Sequence, residues 1–333
     1  MKIKTMWKKI TGSREVSLVF VLLILCVFIQ SRNSTFLTPE TIESLFKNYA
    51  VDFVVAAGMM LILLIGAIDI SVGSTLAFSG MAASLFLRDH PGTPVSVVFL
   101  ISTAIGLLCG LLIGIIIAYG KVHPLICTLG FMSIYRGLAY LIANNEWVAA
   151  SQFSKAYKAF AQSRYLGFGI VNNLVVIVIV VYVVFYFVMK WTPTGRKIYA
   201  VGSNAEAALV SGIKIKKVKV ACYSVLGALC GLSGAMYTSL YASSQGNMAE
   251  GLEMDVIAAC VVGGVSLSGG RGSVIGVFLG TLIISIIGKG LPLIGVSQFW
   301  QKAIKGLIIL IAVIINVIVQ RQMNKAALKR REN

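Results

Sequence analysis

Apolar runs close to membrane-spanning length recur along the whole chain, separated by short polar breaks: 16–30, 48–68, 71–87, 95–118, 124–143, 172–189, 220–242, 253–267, 272–288 and 300–319. A bilayer core about 30 Å thick takes roughly 20 apolar residues as a helix, with a range of about 17–25. Hydrocarbon offers backbone N–H and C=O groups no partners, so such runs fold as helices that satisfy themselves internally. Of 333 residues only 12% are charged and 58% are hydrophobic. A soluble domain carries about a quarter charged residues, and a disordered chain needs low hydrophobicity with high charge. Both classes are excluded. The expected fold is all-α, a polytopic membrane bundle of about ten transmembrane helices.

Charge placement sets the orientation. There are 29 bases and 12 acids, a formal net charge of +17. With both termini cytoplasmic, 19 bases fall on the inner side, 7 on the outer side, and Arg136, Lys302 and Lys305 within runs. That asymmetry follows the positive-inside rule, and it makes anionic membrane lipid, not nucleic acid, the partner of the positive charge. The division expected is a basic N-terminus at 1–15, a membrane domain at 16–320 with a cytoplasmic loop at 190–219, and a basic tail at 321–333. The basic start and short apolar core also resemble a signal peptide. No A-x-A cleavage site follows, so an uncleaved first helix is favoured.

Catalytic chemistry is missing from the sequence. No phosphate loop, H-E-x-x-H or G-x-S-x-G occurs, and the two histidines, His90 and His123, stand apart. All six cysteines lie in apolar runs without CxxC spacing, as small hydrophobes do. Neither a metal site nor a disulfide is expected. Intramembrane charge is costly and informative. Arg136 lies mid-run, either hydrogen-bonded to loop carbonyls or lining a pathway; Asp52, Glu253 and Asp255 lie near outer helix ends. No pair of carboxylates forms a proton relay. Gly106, Gly110 and Gly114 recur at helical spacing and read as a close-packing face.

Within the 190–219 loop the sequence punctuates one short helix. Ser203 or Asn204 caps its start, Glu206 complements the first-turn dipole, Ala207-Ala208-Leu209-Val210 propagates it, and Gly212 offers a left-handed end. Two turns are unstable alone in water. The helix rests on its own bundle or docks into a partner's groove.

Glu206-Ala207-Ala208-x-x-x-Gly212 resembles the coupling element of ABC-importer permeases, without the distal isoleucine and Leu-Pro of its longer form. Ile65-Gly66-Ala67-Ile68-Asp69-Ile70-Ser71-Val72-Gly73-Ser74 is similar to the signature of the ribose-type sugar permeases. Further matches follow in order: Thr128-Leu129-Gly130 with Tyr135-Arg136-Gly137, Gly195-Arg196 with Tyr199 to Asn204, Leu252 to Ala259 around Glu253 and Asp255, and Val262-Gly263-Gly264 with Ser268-Gly269-Gly270-Arg271-Gly272-Ser273. Together they run from about 48 to 318. The resemblance implies a permease dimer, homo- or heteromeric, partnered by an ATP-binding cassette ATPase and an extracytoplasmic sugar-binding protein. ATP and Mg would sit on the ATPase, and this chain would bind no cofactor and catalyse nothing. It further implies a bacterial cytoplasmic (inner) membrane location. Asn204, Glu206, Ala207, Ala208 and Gly212 would then serve ATPase coupling. Asp69, Ser71, Gly73, Ser74, Arg136, Glu253, Asp255, Gly269 and Gly270 would be signature or pathway residues. Tyr135-Arg136-Gly137 followed by Trp147 looks somewhat like the autoinducer-2 and rhamnose branch. The alternative is an ion-coupled carrier or channel working without an ATPase.

Asp69 or Ser71 can cap the helix starting near 71, and capping is favoured over substrate contact for Asp69. Gly73-Ser74 and Gly272-Ser273 stand at similar turns, suggesting an internal duplication that would frame a path. Outside, residues 144–171 hold Trp147, Phe153, Tyr157, Phe160, Tyr165 and Phe168. They read either as an interfacial helix with aromatics at the headgroups or as a docking surface.

Overall fold

The computed structural model of the chain describes residues 14–163, 171–297, 299–308, 310, 311 and 314. Among these the secondary structure is helical, apart from an isolated antiparallel bridge between Val148 and Ser244. The helices are α1 (Arg14–Arg32), α2 (Pro39–Asn48), α3 (Ala50–Leu64), α4 (Val72–Asp89), α5 (Val95–Tyr119), α6 (Pro124–Ile142), α7 (Lys155–Gln162), α8 (Asn173–Trp191), α9 (Pro193–Ser203), α10 (Ala205–Val210), α11 (Ile215–Tyr241), α12 (Leu252–Val262) and α13 (Val274–Leu293). Residues 299–308 are helical as well. One end of the bundle carries α9 and α10, the other α7.

Among the described residues, six helices are long and apolar enough to cross a bilayer alone: α1 from Glu15, α5, α6, α8, α11 and α13. α2 and α3, bent by 46° at their junction, pass the same test as a pair, as a broken span or a re-entrant loop does. The chain is a multi-pass membrane protein. The run at 253–267 becomes α12, only 11 residues long. The run at 300–319 lies partly outside the described residues, and the segments 1–13 and 321–333 lie wholly outside them.

Helix α11 is central, packing against α3, α4 and, most extensively, α5. The glycine face read from the sequence explains the closeness of α5 and α11. A Cβ at Gly106 would overlap the Gly227 carbonyl oxygen and stand 2.6 Å from the Gly231 nitrogen; one at Gly110 would overlap the Tyr223 carbonyl. Ser102 Oγ donates to Gly231 O at 2.6 Å across the same seam. Small residues let the two backbones touch where no hydrophobic force separates protein from lipid. α1 packs against α13, burying Leu18 and Ile29.

The aromatics at 144–171 do not form a headgroup belt. Phe153 and Tyr157 are buried, with Tyr157 and Phe160 packed on Phe99 of α5. Tyr157 OH donates to Ala235 O at 2.8 Å on α11, and burial holds that hydroxyl above its ordinary titration range. The α7 segment thus plugs one end of the bundle. Trp147 alone of the described set is largely exposed, at 67%; Tyr165 and Phe168 lie outside the described residues.

Candidate functional site

The loop at 190–219 folds as two helices where one was expected. α9 is capped by Thr192, whose Oγ1 accepts from Gly195 N, and Pro193 occupies its first turn. α10 begins at Asn204, whose Oδ1 accepts from Ala207 N at 3.0 Å. Glu206 sits in its first turn. The end follows the expected pattern: Gly212 has φ +80°, its N–H reaches Leu209 O at 2.9 Å and Ile213 N–H reaches Ala208 O at 3.0 Å. Ala208 is buried, while Leu209 and Val210 are 63% and 90% exposed. The six-residue helix thus holds two aliphatic side chains outward.

What lies beneath α10 was not legible as a contact. α9 packs on α3 and α11, and its last turn meets two helix breaks. The first break ends α3: Gly66 (φ +73°) donates to Leu63 O at 3.0 Å and Ala67 N–H to Ile62 O at 3.0 Å. The second ends α12 with the same geometry: Gly264 (φ +94°) donates to Val261 O at 3.0 Å and Val265 N–H to Cys260 O at 2.9 Å. Both are left-handed glycine terminations satisfying otherwise unpaired carbonyls. The ends of α10 at Gly212 and α13 at Gly295 close in the same way, so this geometry alone does not make the two breaks a repeat. Gly73-Ser74, aligned with Gly272-Ser273 on sequence, lies inside α4, whereas Gly272-Ser273 precedes α13.

Gly202 of α9 fits between these breaks only because it has no side chain. A Cβ there would overlap Leu64 O and stand 2.6 Å from Gly270 N. Gly270 N–H donates to Leu64 O at 2.8 Å, joining the first break to the loop that follows the second. A Cβ at Gly269 would stand 2.8 Å from Gly202 O and 2.9 Å from Gly66 N. Tyr199 OH donates to Gly272 O at 2.9 Å, and burial raises its titration range, keeping the hydroxyl a neutral donor. Three backbone segments thus meet atom to atom, with α10 attached to one of them through Asn204.

The remaining signature residues fall in two other places. Asp69 is 3% exposed in the extended segment between α3 and α4. Its Oδ1 accepts from Ser71 N at 2.8 Å and Ser71 Oγ at 2.6 Å, and Ser74 Oγ donates to Ser71 O at 2.8 Å. Ser71 occupies the N-cap position of α4 without a side-chain capping bond; Asp69 holds it in place.

Further along, Arg136 Nη1 donates to Gly246 O at 2.7 Å and Met248 O at 2.8 Å, pinning the segment between α11 and α12. Glu253 lies within electrostatic reach of Arg136. A Cβ at Gly73 would stand 2.9 Å from Glu253 Oε2 and 2.5 Å from Ala249 O. Gly73, Arg136 and Glu253 are therefore brought together, while Asp255 pairs with Lys305 at 2.8 Å. Sequence reasoning missed Leu64, Gly202, Gly246 and Met248 as members of these sites; Gly202 stood within a matched block, but nothing local reveals its neighbours.

A family model described as branched-chain amino acid transport system / permease component matches residues 44–313. The chain belongs to that family. The permease is 37% identical over 295 residues to the ribose import permease protein RbsC of Bacillus subtilis, covering 89% of this chain and 90% of the relative. It is 35% identical to the L-arabinose ABC transporter permease protein AraH of Azospirillum brasilense (92% and 88% covered). Against the galactose/methyl galactoside import permease protein MglC of Haemophilus influenzae it is 34% identical (91% and 94% covered). No solved structure matches the permease. These named relatives add no support to the autoinducer-2 and rhamnose likeness.

Proposed function

We infer that this permease is the membrane-spanning subunit of an ABC importer that moves a sugar or sugar-like solute across the bacterial cytoplasmic membrane. It is a translocation subunit and not an enzyme. ATP and Mg are held by a partner ATPase, and an extracytoplasmic binding protein delivers the solute. The α10 end is cytoplasmic and the α7 end external, with both termini inside and about ten membrane helices between residues 16 and 320, of which α12 is too short to cross alone. The bases of the described segments at the α10 end, Lys121, Lys190, Arg196, Lys197, Lys214, Lys216, Lys217, Lys219 and Arg271, support this orientation. Residues 1–15 and 321–333 are its basic cytoplasmic ends.

The observation that carries the mechanism is the contact of α9 with both helix breaks. Leu209 and Val210 enter a groove on the ATPase. Closure of the ATPase pair displaces α10, Asn204 passes the motion to α9, and Gly202 pushes on the junction of Leu64 and Gly270. The two helices ending at Gly66 and Gly264 then shift together, exchanging outward for inward access. A second permease, identical or related, completes the path. Its contact is the outer face of α6, where Gly130 and Gly137 have open space beside Cα and Leu129, Ile134 and Leu141 are exposed. Asp69, Ser71 and Ser74 shape the α4 entrance, and Gly73, Arg136, Glu253 and Asp255 the outer half of the path.

Gly212→Pro tests the coupling role. Proline fixes φ near −65°, and Gly212 requires +80°. Sugar uptake should be abolished with the protein still in the membrane; normal uptake overturns the assignment of α10.

A further inference from the structure

A cavity of about 380 Å³ opens at the α10 end between α8, α9 and α11, away from the helix-break junction. Its volume falls in the range of about 300–1,000 Å³ typical of ligand pockets. Leu61, Met189 and Cys222, all buried, form its floor, and Phe185 and Val225 flank it. Val184 and Val225 are exposed on the outer surface of the bundle, so the cavity opens toward lipid. The polar part of the lining is Thr194 with two lysines, Lys197 on α9 and Lys217 in the first turn of α11. Both lysines are exposed, and neither enters a salt bridge among the described residues.

We propose that this cleft binds one anionic phospholipid of the leaflet at the α10 end. An acyl chain lies along the apolar floor and the phosphate sits between Lys197 and Lys217. Charge decides among occupants. A sugar would bury its hydroxyls against hydrocarbon, leaving them unpaired at a cost, and an apolar helix would leave both ammonium groups without a counter-charge. A phosphodiester on an acyl chain satisfies both halves at once. Basic pockets between transmembrane helices hold anionic headgroups on this principle. Lysine stems also extend along apolar surface while keeping the ammonium at the interface. Because α9 forms one wall and also touches both helix breaks, occupancy of the cleft would bias the position of α9.

Native mass spectrometry of the full chain in mild detergent, titrated with phosphatidylglycerol or phosphatidylcholine, tests this. One phosphatidylglycerol should be retained with clear preference over phosphatidylcholine, and glycerol phosphate should not compete, which separates a lipid site from a free-phosphate site. Each lysine near an anionic headgroup is worth a factor of about five, so Lys197→Gln with Lys217→Gln should weaken retention about thirtyfold. Lys121→Gln with Lys214→Gln, the same charge change outside the cavity lining, should weaken it far less. Ala221→Trp, which fills the cleft and keeps both lysines, should also expel the lipid. Equal retention of the two lipids, or retention untouched by the Lys197/Lys217 pair and by Ala221→Trp, overturns the proposal. Loss of a chain dimer in Ala221→Trp with lipid unchanged overturns it in favour of a second copy.

Discussion

Gly202→Ala is the smallest change that should separate ATP hydrolysis from transport. The added methyl would overlap the Leu64 carbonyl oxygen and stand 2.6 Å from Gly270 N. Both are backbone atoms, so no side-chain rotation relieves the overlap. A comfortable contact near 3.5 Å with the Leu64 carbonyl returns only if the two backbones separate by about 2 Å. Overpacking of this kind costs about 1–3 kcal/mol, and losing the bond from Gly270 N to Leu64 O would add about 1–3 kcal/mol. These contributions share one backbone shift and so do not simply add. In proteoliposomes carrying ATPase and binding protein, ATP hydrolysis should persist while sugar uptake per folded permease falls at least about tenfold, the equivalent of about 1.4 kcal/mol. A thermal scan in detergent should show a lowered midpoint. Gly92→Ala, where nothing approaches the new methyl, should stay within about 0.5 kcal/mol of the parent. Uptake and midpoint both unchanged in Gly202→Ala would refute the tight junction. Uptake reduced only in proportion to folded protein would refute its role in coupling.

Other outcomes follow from the same contacts. Asn204→Ala removes the cap on Ala207 N and should cost α10 about 1 kcal/mol, read as weaker ATPase capture in a binding titration. Asp69→Asn keeps an oxygen for Ser71 and should retain most uptake, whereas Asp69→Ala leaves buried donors unpaired and should lower the thermal midpoint by the equivalent of about 1–3 kcal/mol; equal effects would mean that the charge itself matters. Arg136→Met should release Gly246 and Met248 at about 1.5–3 kcal/mol per charged hydrogen bond, speeding hydrogen exchange at 246–251; unchanged exchange there would show that the pin does not hold the segment.

The parts of this protein that the sequence discloses are those fixed by neighbours in the chain. Asn204, Glu206 and Gly212 announce a helix because caps act within one turn, and α10 has them in those places. Gly106, Gly110 and Gly114 disclose a packing face because 3.6 residues per turn align them, although not that α11 is the partner. The Gly202 junction is different. It joins positions 64, 202 and 270, and no periodicity relates them. Gly73-Ser74 and Gly272-Ser273 look alike as residue pairs, yet one lies inside α4 and the other precedes α13. Arg136 was readable as carbonyl-bound, but that its partners are the carbonyls of Gly246 and Met248, 110 and 112 residues away, was not.

On the proposed function, this chain works through a separate ATPase engaged by α10. Affinity capture of the tagged chain from native membranes in mild detergent, with mass spectrometry of what accompanies it, tests that directly. A stoichiometric ATP-binding cassette subunit should copurify, and Leu209→Asp with Val210→Asp should lose it while the permease stays folded. Capture of this chain alone, folded and oligomeric, would contradict the account and favour a carrier or channel.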